Sequence, residues 1–411
     1  MKSTRSILLA TSAIAVLVLA FALTGCSNFL LKATTTSTTS TTLATTTTTQ
    51  PATGTTGTTT AAADAGALMF RSDVARTGVY PGAGPTSSPS GQPQALPSGK
   101  NIGAIPWSCP AIYNGVAYFG AADNKLYAVD LQTGGQKWQA FSTKKAFWSS
   151  PAIVNGVIYV GGDDGYLYAL DLQSGTDKWK LRTNYGIVTS PAVVDGVVYI
   201  GSGDGNLYAV DAAAGTQKWK AGGGHAVNSS PAVSGGVVYF GGADKALHAV
   251  DAQTGKEKWK FGTGAVIWAT PAVADGVAYV GSYDGFLYAV DIQTGSLKWK
   301  YQTADGIASS AAVSNGTVYV GSRDDYLHAV DAQTGQEKWK FQTNGDLDCS
   351  PIVAGGLVYV GGLDGSLYGI DTQTGKVAWQ AKLPGQVQGS LTVAGGTLYV
   401  GCADGYLYAV K

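Results

Sequence analysis

A tryptophan returns every 40 residues through most of this chain. It stands at Trp138, Trp179, Trp219, Trp259, Trp299, Trp339 and Trp379, with one step of 41. Pro151, Pro191, Pro231, Pro271 and Pro351 keep the same step. A fixed period of this size means a repeat architecture, in which one unit cannot bury its apolar face alone and must stack on copies of itself. One unit reads PAVVDGVVYIGSGDGNLYAVDAAAGTQKWKAG from Pro191. Short apolar runs at 191–194, 197–200 and 207–210 and a run centred on Trp219 are separated by turn signals. The first turn is Asp195-Gly196, repeated as Asn155-Gly156, Asp275-Gly276 and Asn315-Gly316. Such pairs favour the type I′ geometry that matches strand twist. Four hairpin-linked strands per ~40 residues predict a propeller blade.

The strand order within a blade also follows. Proline cannot donate to a ladder, so its strand lies at one edge. Lysines flank the tryptophan at Lys178 and Lys180, Lys218 and Lys220, and Lys258 and Lys260. Lysine-rich edges block unwanted pairing, so this strand is the outer rim. The Ser- and Ala-rich proline strand is then innermost, around the axis. The tryptophans are expected to dock in the wedge between blades, each burying roughly 150–250 Å². Seven copies are complete. The eighth begins at Leu391 and stops at Lys411 without its fourth strand. An all-β, eight-bladed propeller of four-stranded blades is therefore expected, its last blade closed by an N-terminal strand near Leu68–Arg71, with Phe70 in place of the missing tryptophan. A seven-bladed ring with frayed ends is the alternative.

The segment before the repeats reads differently. Lys2 and Arg5 precede an apolar run from Ile7 to Leu23 that ends in Leu23-Thr24-Gly25-Cys26. A basic start and a short apolar stretch make a secretory signal. Its end resembles the lipobox of bacterial lipoproteins, which implies lipidation at Cys26; an uncleaved membrane anchor is the alternative. Either places the remainder outside the cytoplasm, lipid-anchored or tethered at a cell surface or in a periplasm. Residues 1–26 are assigned to this signal and 27–66 to a threonine-rich stalk. The stalk cannot bury enough apolar surface to order itself, and as a flexible coil it would average ~35 Å end to end. The propeller is assigned to 67–411.

Formal net charge is zero and charged residues are 13% of the chain, about half the usual ~25%. Nucleic acid is thereby disfavoured as a partner, since phosphate binding needs a basic stripe. Cys26, Cys109, Cys349 and Cys402 form no C-x-x-C pair, so zinc and thioredoxin spacings are missing and no disulfide framework is expected. Asp164, Asp204, Asp284, Asp364 and Asp404 each precede a turn glycine. They suit backbone capping better than calcium, whose loops need denser acids. Paired serines such as Ser149-Ser150, Ser229-Ser230 and Ser309-Ser310 recur in most blades, whereas a nucleophile should be unique. His248 and His328 replace the third-strand tyrosine and read as packing variants.

Positions that differ between otherwise similar blades carry more information. Three residues before each inner-strand proline position stand Trp107, Trp148, Val188, Asn228, Trp268, Ala308, Asp348 and Gln388. Three further back are Lys145, Tyr185, His225 and Asp305. These positions gather at one mouth of the axial channel. Trp107, Trp148, Trp268, His225 and Asp348 are the candidate binding residues, with a channel plug as the plainer role for the tryptophans.

Ala249-Val-Asp251-Ala-Gln-Thr254-Gly255-Lys256-Glu-Lys-Trp259 resembles the tryptophan-docking motif of the PQQ-binding-like β-propeller family, and Phe70-Arg71-Ser-Asp-Val-Ala-Arg76-Thr77-Gly78 resembles the segment that opens many of its chains. The resemblance covers about residues 67–411. It implies the propeller fold and two kinds of function: quinoprotein dehydrogenases using PQQ and calcium, or a BamB-type lipoprotein scaffold of outer-membrane β-barrel assembly. The dehydrogenases' adjacent cysteines have no counterpart here, and the loops between strands are short. The expectation is a monomeric, extracytoplasmic, non-enzymatic module without a cofactor or metal. Its partners would be the membrane, through its lipid, and another envelope or surface protein. A PQQ-dependent oxidoreductase is the alternative.

Overall fold

The computed structural model describes residues 69–86, 94–95, 107–222 and 224–411. The signal segment with Cys26 and the stalk at 27–66 lie outside the described residues. Among the described residues no helix is long and apolar enough to cross a membrane.

Eight four-stranded antiparallel sheets make an eight-bladed β-propeller. In blade 3 the strands are Ala192–Val194, Val197–Gly201, Asn206–Asp211 and Gln217–Gly222, paired in that order. Inner strands of consecutive blades adjoin, and the first blade meets the eighth. The proline strand is therefore axial and the lysine strand forms the rim. The first turn adopts the expected geometry, with Asp195 at φ 49° and Gly196 at φ 73°. Second and third strands are buried on both faces because each blade is sandwiched between two others.

The outer strand carries a bulge. Ala209 faces Trp219 but Val210 faces Gln217, leaving Lys218 extra. The same shift recurs in blades 2 to 7, and a bulge re-aims the side chains beside it. The Trp219 indole donates to the Ala252 carbonyl of the next blade at 3.1 Å. Trp179 and Trp259 do the same to Ala212 and Ile292 at 3.0 and 2.9 Å. The next blade's Asp-x-x-Thr-Gly turn explains its glycine here. Gly255 lies at φ +70°, and a Cβ there would sit 2.6 Å from the Trp219 ring. Asp251 holds that turn by accepting from Gln253 N, Thr254 N and the Thr254 hydroxyl.

The ring closes with an N-terminal strand, but not the expected one. Gln94–Ala95 pairs with the edge strand Leu407–Val410 of blade 8. Phe70 does not take the place of the missing tryptophan. Arg71, Ser72 and Arg76 have φ of 60°, 73° and 61°, left-handed turn values that no strand accommodates. Residues 69–86 instead run across the inner strands. Those strands leave amides facing the axis, and buried amides must find acceptors. Val233, Val273, Val313 and Val353 donate their backbone N–H to the carbonyls of Val74, Ala75, Thr77 and Gly78 at 2.7–2.9 Å. At the far end, the Tyr359 hydroxyl donates to Pro85 O at 2.9 Å. The corresponding Tyr199 uses a turn carbonyl of the next blade, and blade 8 ends before that turn.

Candidate functional site

The axial channel is built from short inner strands, and its polar groups are consumed in belts. The first serine of each pair caps its own blade: Ser149 Oγ accepts from Gly161 N at 3.1 Å and Ser309 Oγ from Gly321 N at 2.9 Å. The second ties blade to blade: Ser190 Oγ accepts from Ser150 N at 3.0 Å and Ser350 Oγ from Ser310 N at 2.9 Å. The recurrence of the serines thus has a hydrogen-bonding cause. Cys109, Cys349 and Cys402 are buried and free. Burial pushes the thiols of Cys109 and Cys349 up to about 11 and 12, so none of the chemistry of an exposed thiolate is available there.

Two arginines of the N-terminal segment fill the channel, a role that reading the repeats alone misses. Arg71 and Arg76 have no exposed surface. Arg76 donates to Pro231 O at 3.1 Å, Pro191 O at 2.7 Å, Ser190 O at 3.3 Å and Phe70 O. Arg71 donates to Arg76 O at 3.2 Å and to Ala311 O, and its Nη1 has no partner among the described residues. Burial lowers both guanidinium pKa values to about 10, which leaves them charged at neutral pH. A signal was present in the sequence: two arginines five apart, in a chain with few charges, ahead of the repeats.

Above them, at the mouth, three of the five candidate residues meet. Trp107 lies 5.7 Å from Trp148 and 6.5 Å from Trp268, centroid to centroid, at 51° and 71°. Trp268 belongs to blade 5, opposite blade 1 in a ring of eight, so the indoles bridge the channel. They are not sealed in: Trp107 is 44% and Trp268 38% exposed. Trp107 Nε1 donates to Gln388 Oε1 at 3.2 Å. Asp348 is held by Arg323 in a two-pronged pair at 2.8 and 3.0 Å, and the Arg323 guanidinium lies 4.9 Å over the Tyr283 ring. His225 is placed elsewhere, lining a cavity between blades 3 and 4. The mouth therefore offers a cluster of tilted and edge-to-face indoles, an amide and a neutralised Arg–Asp pair, which suits apolar and aromatic contact better than anion capture.

The family comparison agrees with the geometry. The model described as outer membrane protein assembly factor BamB matches residues 122–242, 220–311 and 302–411. The chain belongs to this family of PQQ-like repeat propellers. A search of curated proteins returns no match. Among solved structures, BamB from Moraxella catarrhalis is similar at 21% identity and TM-score 0.64, over 78% of this chain and 98% of that one. The quinohemoprotein alcohol dehydrogenase from Comamonas testosteroni is similar at 17% identity and TM-score 0.70, over 84% and 80%. The computationally designed Ika8 protein matches at 19% identity and TM-score 0.69, over 80% and 99%. These likenesses are of fold. A quinone bearing several carboxylates needs free cationic donors opening on a chamber. Arg76 is saturated by carbonyls, Arg71 is sealed beneath the surface and Arg323 is paired with Asp348. None of these three arginines offers such a donor at the open mouth.

Proposed function

We propose that this chain is a membrane-tethered, extracytoplasmic binding module without catalytic activity, and that it engages a partner protein of the cell envelope through its tryptophan mouth. The carrying observation is the cluster of Trp107, Trp148 and Trp268, with Trp107 and Trp268 exposed, over inner strands whose serines are already hydrogen-bonded within the ring. Exposed aromatics on a rigid frame are the usual anchors of protein interfaces. The family supports the reading, since its name describes an assembly factor. The lipobox-like end of the apolar N-terminal run supports tethering. A role in envelope protein assembly is the nearest analogue.

A photo-crosslinking residue at position 107, in the lipidated protein within its own membrane, tests this. Capture of a discrete envelope polypeptide from the mouth, and none from the same probe at the rim position 180, is the expected outcome. The quinoprotein alternative predicts instead that the purified protein, given PQQ and calcium, reduces an artificial electron acceptor in the presence of alcohols or sugars. Substrate-dependent dye reduction above a protein-free control would refute the non-enzymatic reading.

A further inference from the structure

At several junctions consecutive blades meet through a ring-on-ring contact between an outer-strand residue and a third-strand residue 27 positions later, whereas Leu181 stands opposite Tyr208 between blades 2 and 3. Phe141 meets Tyr168 at 5.2 Å, Phe261 meets Tyr288 at 5.5 Å and Phe341 meets Tyr368 at 5.2 Å, all edge to face. The junction of blades 5 and 6 is a polar version of this contact. The Tyr301 ring lies 5.5 Å from His328 at 61°. Its hydroxyl is 3.0 Å from His328 Nδ1 and donates to Glu337 Oε2. His328 Nε2 in turn is 3.1 Å from Asp324 Oδ2. Burial first, then the Glu337 carboxylate, pushes the Tyr301 pKa well up, so this pocket holds a neutral phenol.

The junction of blades 3 and 4 repeats the constellation 80 residues earlier with one member missing. Asp244, His248 and Glu257 correspond to Asp324, His328 and Glu337, but Ala221 stands where Tyr301 would be. His248 Nε2 is 2.9 Å from Asp244 Oδ2 and its Nδ1 is 2.9 Å from Glu257 Oε2. Beside them is a cavity of ≈ 630 Å³ lined by Ala221, His225, Val227, Phe240 and His248. That volume is within the ~300–1,000 Å³ range of small-ligand sites. The Phe240 ring stacks on His248 at 4.9 Å and 10°, which supplies an aromatic wall. Glu257 and Lys260, with side chains 52% and 46% exposed, stand at the open rim. The imidazole uses both nitrogens on carboxylates, so the group is not arranged to converge on a metal ion. Ala381 also breaks the ring pattern, but there Tyr408 takes the place of the histidine, and Tyr406 packs against the same core as Ala381.

We propose that the cavity between blades 3 and 4 binds a tyrosine side chain supplied by a partner polypeptide. The incoming hydroxyl donates to Glu257 and faces His248, as Tyr301 does with Glu337 and His328 one pair of blades further on. The internal copy defines the ligand: a neutral phenol on a ring, admitted edge-on to the imidazole. The site is separate from the tryptophan mouth, and it can succeed or fail independently of that reading.

The test uses the whole protein with N-acetyl-L-tyrosinamide, N-acetyl-L-phenylalaninamide and p-cresol as probes, followed by calorimetry and ligand-observed NMR. Tyrosinamide should bind at least tenfold more tightly than phenylalaninamide. Ala221→Tyr should abolish that binding and raise the melting temperature, because the chain then fills its own cavity. If Phe240 obstructs the new ring, Ala221→Tyr with Phe240→Val reproduces the junction of blades 5 and 6, where Val320 stands opposite His328, and should give the same result. Trp148→Ala should leave tyrosinamide binding unchanged. Three results would overturn the proposal: no tyrosinamide binding by the unaltered protein, equal affinity for phenylalaninamide, or unchanged binding after the cavity is filled. Binding of p-cresol without tyrosinamide would overturn the polypeptide source.

Discussion

Two sets of tryptophans occupy this ring, and they behave in opposite ways. The docking set at the rim is uniform except at Trp379, whose indole N–H has no partner among the described residues. Trp179, Trp219, Trp259, Trp299 and Trp339 each donate to a turn carbonyl of the next blade at 2.9–3.1 Å, over a glycine that leaves room for the indole. The mouth set is irregular: three blades contribute an indole and the other five contribute Val, Asn, Ala, Asp or Gln. A residue required by the stacking of copies must be the same in every copy. A residue free to vary between copies answers to something else, either a plug or a ligand. The ring therefore carries its own control, and substitutions in each set should separate stability from binding.

The largest effect should come from removing what lies outside both sets. A chain starting at Gly103 loses Arg71 and Arg76 from the channel, the carbonyls that receive the Val233, Val273, Val313 and Val353 amides, and the closing strand Gln94–Ala95. Buried amides without acceptors each cost about 1–3 kcal/mol, and the bared edge at Leu407–Val410 invites pairing with another molecule. This chain should aggregate or melt far below one starting at Ala65, which should match the full mature protein. Equal melting temperatures for the two would show that the segment across the inner strands and the closing strand contribute little.

A smaller but still large loss is expected within the docking set. Trp219→Ala empties the wedge between blades 3 and 4 and should cost about 3–5 kcal/mol, read as a fall in the denaturant midpoint. Gly255→Ala attacks the same contact from the opposite blade. Its Cβ would meet the Trp219 ring at 2.6 Å in a left-handed backbone, and the conformation alone costs about 1–3 kcal/mol. Because both substitutions break one contact, their double variant should lose less than the sum of the singles. Strict additivity would mean that the turn and the indole stabilise the ring separately.

How much of this was legible depended on whether a feature repeats. The blade, its strand order and the docking tryptophan were readable because seven near-copies state them. The closing strand was not. Gln94–Ala95 is two residues long, carries no period, and is specified by the open edge of blade 8 rather than by its own composition. Phe70 misled for the opposite reason: an aromatic beside a familiar-looking motif, in a backbone whose left-handed turns no pattern reveals. Comparing copies pointed to Trp107, Trp148 and Trp268, which do touch. The same comparison grouped His225 with them, yet it lines the cavity between blades 3 and 4. That cavity depends on Ala221 in one blade and His248 in the next, a pairing invisible within a single copy. The coincidence of His248 with Glu257 and of His328 with Glu337 was the available signal, and it emerges only when blades are compared two apart.

The smallest expected change in stability belongs to the mouth. Trp148 is half-buried and touches Trp107 at 5.7 Å, but it bridges no turn of a neighbouring blade as the docking indoles do. The inner strand beneath it is held by the serine belt: the Ser149 hydroxyl caps Gly161 and the Ser150 amide donates to Ser190 Oγ. None of those bonds uses the indole. Trp148→Ala should therefore shift stability by about 0.5 kcal/mol or less, as surface substitutions away from structural features usually do. Partner capture at the mouth should nevertheless fall at least tenfold, since truncating an aromatic anchor typically costs 2 kcal/mol or more in binding. Trp219→Ala, measured in parallel under conditions where it remains folded, should retain capture while losing stability. If Trp148→Ala destabilises as strongly as Trp219→Ala, the mouth indoles are a plug that holds the channel shut, and the crosslinks should then map to the lysine rim.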